Sequence, residues 1–199
     1  PTAFDPAGRT DFHSRQRDGE IVPIVARVGP PGALNDAAGG QSQLARRLVE
    51  AHGPQAFGIM NQGIGGNRLL HDMTGESTLR RFDRDVLAQP GVTHLITLIG
   101  TNDLRNRRGS AEEDASAPAL IAGLTQIARR AKAARIRAIV CTLLPYEKET
   151  FYEFGWTPAR EEMRLTINTW LRKQKEFDAL VDLDKALRDP AAPSKLLPV

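Results

Sequence analysis

The sequence predicts a three-layer α/β/α domain built on a parallel sheet, and three observations carry that expectation. The chain has 199 residues, which fits one domain of the usual ~100–200 residues. Five short apolar runs, at residues 24–28, 57–60, 93–99, 138–144 and 180–184, alternate with stretches of helical period. Their starts lie 33 to 45 residues apart (24 to 57, then 93, 138 and 180). A β-α-β unit needs roughly 30 residues or more, so each interval holds one.

Each run is rich in Val and Ile or wholly apolar, as a strand covered on both faces requires. The first follows Pro23. Proline has no N–H to give a central ladder, so this strand is expected to begin at Ile24. Leu44, Leu48 and Val49 then share one helical face, and Gly53-Pro54 stops that helix. After the second run, Leu79, Phe82 and Val86 fall at i, i+3 and i+7 before Pro90-Gly91. Leu120, Leu124, Ile127 and Ala131 form a longer stripe between the third and fourth runs. Thr157-Pro158 opens the next helix, because the threonine oxygen takes a free N–H and proline at the first position lacks one anyway. Behind it, Met163, Ile167, Trp170 and Leu171 make an apolar face that leads to the fifth run. All of these are core residues and carry no chemistry. Right-handed crossovers leave few doubly wound topologies. Ligands in such folds sit beyond the carboxyl ends of the strands.

Composition narrows the partners. At 41% hydrophobic and 26% charged residues, the chain is not disordered, collagen-like or a coiled coil. No apolar run approaches the ~20 residues that span a bilayer, so no membrane partner is expected. The net charge of +3 comes with no dense Lys/Arg stripe, so nucleic acid is not expected either. The cluster Arg105-Asn106-Arg107-Arg108 reads as a solvated loop. Cys141 is the single cysteine, which excludes a disulfide framework and a cysteine-based zinc site. His13, His52, His71 and His94 show no metal-ligand spacing. No metal or organic cofactor is expected. Residues 1–20 lack the apolar stretch of a signal peptide. They read as an irregular segment ahead of a domain over residues 21–199.

The loops after the second and third strands hold the candidate chemistry. Asn61-Gln62-Gly63-Ile64-Gly65-Gly66-Asn67-Arg68 places three glycines in four positions. Glycine lets the backbone turn sharply and expose its N–H groups, which can bind an anion or a developing oxyanion. The dinucleotide fingerprint GxGxxG fails, because Arg68 stands at the third glycine position. Ile99-Gly100-Thr101-Asn102-Asp103 follows the third strand. The Asn102 carboxamide can donate to a substrate oxygen without a change of charge, and Asp103 can fix the local turn. Taken alone, each loop reads as a plain turn. Together they bring hydrogen-bond donors to one edge of neighbouring strands, as an oxyanion hole requires. A flavodoxin-like nucleotide binder would need a phosphate-cradling loop after the first strand, and Pro30-Pro31 offers too few N–H groups there.

These two motifs resemble the second and third blocks of the SGNH hydrolases, also called GDSL-type esterases or lipases. The stretch from about Gln43 to Leu197 runs along the same pattern. The resemblance implies a flavodoxin-like sandwich of strand order 2-1-3-4-5 and ester hydrolysis through a serine acyl-enzyme. It carries over Gly66 as the backbone oxyanion donor and Asn102 as the side-chain donor, with Asp103 in support. The implied partner is a small-molecule acyl or acetyl ester, carbohydrate esters among them. Secreted or periplasmic location is the family habit. The oligomeric state is not implied.

Two family blocks are missing. Where the resemblance calls for Gly-Asp-Ser, the chain has Ala26-Arg27-Val28-Gly29-Pro30-Pro31-Gly32, and no Ser, Thr or Cys occurs from residue 15 to 41. No Asp-x-x-His follows the fifth strand. A nucleophilic serine needs a base within hydrogen-bond reach, so this chain is expected to show little or no esterase activity as it stands. An incomplete or altered sequence, truncated at its C-terminus, explains the gap. The alternative is a non-catalytic small-ligand or carbohydrate-binding module on the same fold.

Overall fold

The computed structural model describes residues 24–27, 43–53, 58–105, 115–147 and 156–197. Among the described residues, five strands form one sheet in the order β2-β1-β3-β4-β5. They are β1 (Ile24–Arg27), β2 (Gly58–Asn61), β3 (Val92–Thr97), β4 (Arg137–Cys141) and β5 (Ala179–Val181). The helices between them are α1 (Gln43–His52), α2 (Thr78–Phe82), α3 (Thr101–Arg105), α4 (Ala117–Ala133) and α5 (Pro158–Lys173), and α6 (Leu183–Leu187) follows β5. α2 runs on into a π-helical turn, Asp83–Leu87, in which Ala88 N donates to Asp83 O at 2.7 Å. The alternation of strands and helices makes this an α/β fold, as the periodicity predicts.

One strand departs from the expected all-parallel sheet. β3, β4 and β5 run parallel, and β2 points the same way, but β1 lies antiparallel to both β2 and β3. Ile24 pairs with Asn61 on one side and Ile96 on the other. The physical reason the sequence misled is simple. A short apolar run packs between two neighbours equally well in either sense, so its hydrophobicity carries no direction. β1 does start at Ile24, immediately after Pro23. Pro30-Pro31 and residues 1–20 lie outside the described residues, as do residues 106–108 of the arginine cluster.

The core matches the helical stripes. Leu120, Leu124, Ile127 and Ala131 of α4 are buried, as are Phe82 and Val86 beside α2, and Ile167 and Leu171 of α5. Met163 and Trp170 pack partly buried against them. α5 starts as expected: the Thr157 hydroxyl accepts from Arg160 N at 3.2 Å, with Pro158 at the first position. The fifth strand is shorter than expected because Asp182 leaves the sheet to cap α6, accepting from Lys185 N at 3.1 Å.

Asp182 also ties α6 to α5. Arg172 grips it in a bidentate pair, Nε to Oδ2 at 2.8 Å and Nη2 to Oδ1 at 2.9 Å, and Thr142 Oγ1 donates to Oδ1 at 3.1 Å. The Arg172 guanidinium holds the Asp182 carboxyl well below the usual carboxylate range, against a smaller opposing effect of burial. A carboxyl depressed in the folded state stabilises the fold above its unfolded value of ~3.9, and that contribution fades as pH falls toward the folded value. Asp182→Asn is therefore expected to destabilise the protein by about 1–2 kcal/mol at neutral pH, between the exposed and buried limits for ion pairs. Urea melts of both proteins should converge as pH drops below ~4. A gap that stays constant well below that pH contradicts the assignment.

Candidate functional site

The site is built where β2 and β3 end. Asn61, the last residue of β2, accepts from Gly63 N through Oδ1 at 3.0 Å and turns the chain out of the sheet. A second turn follows at once, closed by Asn67 N donating to Ile64 O at 3.0 Å. Gly66 is the third residue of that turn and has φ +77°, a conformation L side chains avoid. A Cβ at Gly66 would also sit 2.9 Å from Thr74 Oγ1. Gly66→Ala should thus lower stability by roughly 1–2 kcal/mol, from left-handed strain and the contact combined. The urea midpoint measures this, and an unchanged midpoint would show that the turn is not held as described.

Asn102 and Asp103 follow β3 on α3. Gly100 makes the bend between strand and helix, with φ +122° and Leu143 packed against it. Asn102 is half-buried, and its Nδ2 donates to Asn67 O at 3.0 Å. The carboxamide is therefore anchored one peptide unit beyond Gly66, on the loop that follows β2. A carboxamide nitrogen has two hydrogens, so this bond fixes its rotamer and leaves one N–H over.

Asp103 does not serve the local turn that its neighbours suggested. It reaches across to the other loop, accepting from Leu69 N at 2.7 Å through Oδ2 and from Leu70 N at 2.9 Å through Oδ1. Its side chain is buried. Burial pushes its carboxyl up, and the two amides and the Arg68 guanidinium pull the other way. Asn102 and Asp103 thus fasten the two loops at adjacent points, which brings together the two motifs that the sequence placed at one edge.

Other side chains lie elsewhere than expected. Arg105 ends α3 and is 7% exposed, with its guanidinium 5.1 Å from the centre of the Tyr146 ring. It is not part of a solvated loop, because the aromatic face and the short helix draw it inward. His94 lies within β3, where its Nδ1 is 2.9 Å from the Thr93 hydroxyl. Thr93 and His94 lie in the amino-terminal half of β3, about 13 and about 10 Å of strand from its carboxyl end at the usual rise per residue. His71 follows Leu70 and is half-buried. Among the described residues no group of three or more His, Cys, Asp or Glu side chains could hold a metal ion. No helix among them is long and apolar enough to cross a membrane.

Sequence reasoning missed Asn67, whose side chain is fully buried. Its Nδ2 donates to Thr74 O and Glu76 O at 3.1 and 2.8 Å, and its Oδ1 accepts from Thr78 Oγ1 at 3.0 Å. The signal was present, since an asparagine closing a glycine-rich turn has its backbone committed and its side chain free to brace.

The model of the GDSL-like Lipase/Acylhydrolase family matches residues 24–198. No curated protein matches. Among solved structures, a candidate acylhydrolase from Bacteroides fragilis is similar at 17% identity with a TM-score of 0.54, over 77% of this chain and 65% of that one. A GDSL-like lipase from Bacteroides thetaiotaomicron aligns at 20% identity and TM-score 0.46, over 59% of this chain and 55% of that one. A candidate lipolytic protein of the G-D-S-L family from Desulfitobacterium hafniense aligns at 19% and 0.43, over 60% and 58%. The chain therefore spans less than two thirds of the length of each. The first of these likenesses supports the fold.

Proposed function

We propose, since the chain belongs to the GDSL-like lipase/acylhydrolase family, that its two loops form the oxyanion-binding half of an ester-hydrolase site. The donors are the Gly66 backbone N–H and the Asn102 carboxamide. The observation that carries this reading is the bond from Asn102 Nδ2 to Asn67 O at 3.0 Å. It sets the carboxamide beside the glycine turn and leaves one N–H to offer. In ester hydrolysis the attacked carbonyl oxygen becomes an oxyanion. Donors fixed before the reaction hold that charge without reorganising, and losing one typically slows such a step by ~10²–10³. The substrates are small acyl or acetyl esters, carbohydrate esters among them.

The 199-residue chain itself is proposed not to turn esters over. The hydroxyl–imidazole pair Thr93–His94 stands at the wrong end of β3 to serve Asn102. The test has two arms. With p-nitrophenyl acetate, release of nitrophenol should stay at the buffer rate. Clear turnover that Asn102→Ala abolishes would overturn the inactivity and reveal another nucleophile. In the second arm, methylphosphonate serves as an oxyanion mimic. It should shift the NMR signals of the Gly66 amide and the Asn102 side-chain amide, and Asn102→Ala should remove the response. Shifts confined to other residues would refute the oxyanion hole.

A further inference from the structure

Arg81 is a buried arginine on α2, 3% exposed, that the oxyanion reading does not use. Burying a guanidinium is unfavourable unless its charge and its N–H groups are matched. The partners of Arg81 show what it is matched to. Nη1 donates to Gln62 O at 2.7 Å and to Asp85 Oδ2 at 2.7 Å. Nε and Nη2 both donate to Asn67 Oδ1, at 3.3 and 3.2 Å. Asp85 lies one turn further on and supplies the counter-charge. The other two partners are not neighbours in sequence. Gln62 opens the glycine-rich loop and Asn67 closes it, with Gly63, Ile64, Gly65 and Gly66 between them.

We infer that Arg81 is a positioning residue: one guanidinium holds both ends of the loop and so sets the direction of the Gly66 N–H. The inference rests on the reading of Gly66 as an oxyanion donor. Glycine-rich segments lose more backbone entropy on ordering than others. A loop with three glycines in four positions cannot hold one N–H in place by its own preferences. Pinning its ends shortens the span that can move to four residues. The Asn67 side chain is in turn fixed by Thr74, Glu76 and Thr78, and the Asn67 carbonyl carries Asn102. Arg81 therefore bears on both donors, on Gly66 through the loop and on Asn102 through Asn67. Lysine cannot replace it. An ammonium is a compact point donor, whereas the planar fork reaches Gln62 O, Asn67 Oδ1 and Asp85 in three directions at once.

Backbone 15N relaxation of the 199-residue chain tests this. In Arg81→Lys, the order parameters of Gly63, Gly65 and Gly66 should fall from the rigid range of ~0.85 to below ~0.6, with Leu95 and Ala138 in the sheet unchanged. Unchanged order parameters at Gly66 in a folded Arg81→Lys protein would overturn the inference. A wild-type measurement decides the matter if that variant does not fold. The Arg81 Nε–H should be protected from exchange by its bond to Asn67 Oδ1, and Gly66 should be as rigid as the sheet. An Nε–H that exchanges freely beside a rigid Gly66 would refute the role. The methylphosphonate titration separates the two readings. A more mobile Gly66 in Arg81→Lys, with no wild-type response to methylphosphonate, would leave the loop bracket standing and remove the oxyanion hole. A wild-type response at Gly66, with its mobility unmoved by Arg81→Lys, would do the reverse.

Discussion

Asp103→Ala is expected to lower the stability of the folded protein by about 3–5 kcal/mol, the range for removing one member of a buried charged network. The carboxylate accepts the Leu69 and Leu70 amides, at 2.7 and 2.9 Å. Deleting it leaves two backbone donors without partners, each costing roughly 1–3 kcal/mol if it stays buried. The Arg68 guanidinium nearby loses a neighbouring negative charge as well. Because a domain of this size is typically stable by ~5–15 kcal/mol, the loss is a large share of the whole. Asp103→Asn should cost less, since its amide oxygen still accepts one N–H while its NH2 faces the other. Urea denaturation of the three proteins gives the order wild type, Asn, Ala. Equal midpoints for wild type and Asp103→Ala would mean that the two loops are not fastened through this carboxylate.

The second large effect is expected on the far side of the sheet edge. Arg164 and Asp184 are both fully buried, with Nη1 2.6 Å from Oδ1. Arg164 Nη1 also donates to Leu143 O at 2.9 Å, and its Nη2 pairs with Glu161 at 2.6 Å. Asp184 further receives Arg172 at 2.6 Å. Arg164→Ala or Asp184→Ala removes one partner and strands the rest, which should cost about 3–5 kcal/mol. The double change Arg164→Met with Asp184→Leu strands fewer charges and should recover part of that loss, because apolar replacements of buried pairs are often near neutral. Glu161 and Arg172 would still miss a partner, so recovery should be incomplete. Thermal melts of the single and double variants check this. A double variant less stable than the sum of the singles would contradict the picture of a pair whose members depend on each other.

The order of elements was legible because buried strands and amphipathic helices write different periods. Leu120, Leu124, Ile127 and Ala131 announced the buried face of α4, and Thr157-Pro158 announced the start of α5. The meeting of the two loops was legible because both follow strands that end on the same edge, and Asn102 bonds the Asn67 carbonyl there. Three things were not legible. The direction of β1 was hidden because the short apolar run Ile24-Val25-Ala26 reads alike both ways. The reach of Asp103 was hidden because its partners, Leu69 and Leu70, lie more than 30 positions away in sequence. A turn-forming Asp and a long-range acceptor are spelled the same way. Arg81 was hidden because an arginine on a short amphipathic helix ordinarily faces water. Only tertiary placement shows that it reaches both ends of the glycine loop.

In the proposed site the Gly66 N–H and the Asn102 carboxamide share one acceptor. A crystal structure of the 199-residue chain with methylphosphonate bound tests it most directly. One phosphonate oxygen should lie within ~3.2 Å of both Gly66 N and Asn102 Nδ2, the ordinary N–H to oxygen limit. A phosphonate oxygen that touches only one of the two nitrogens, or nitrogens more than ~6 Å apart and so beyond the reach of a single acceptor, would contradict the account.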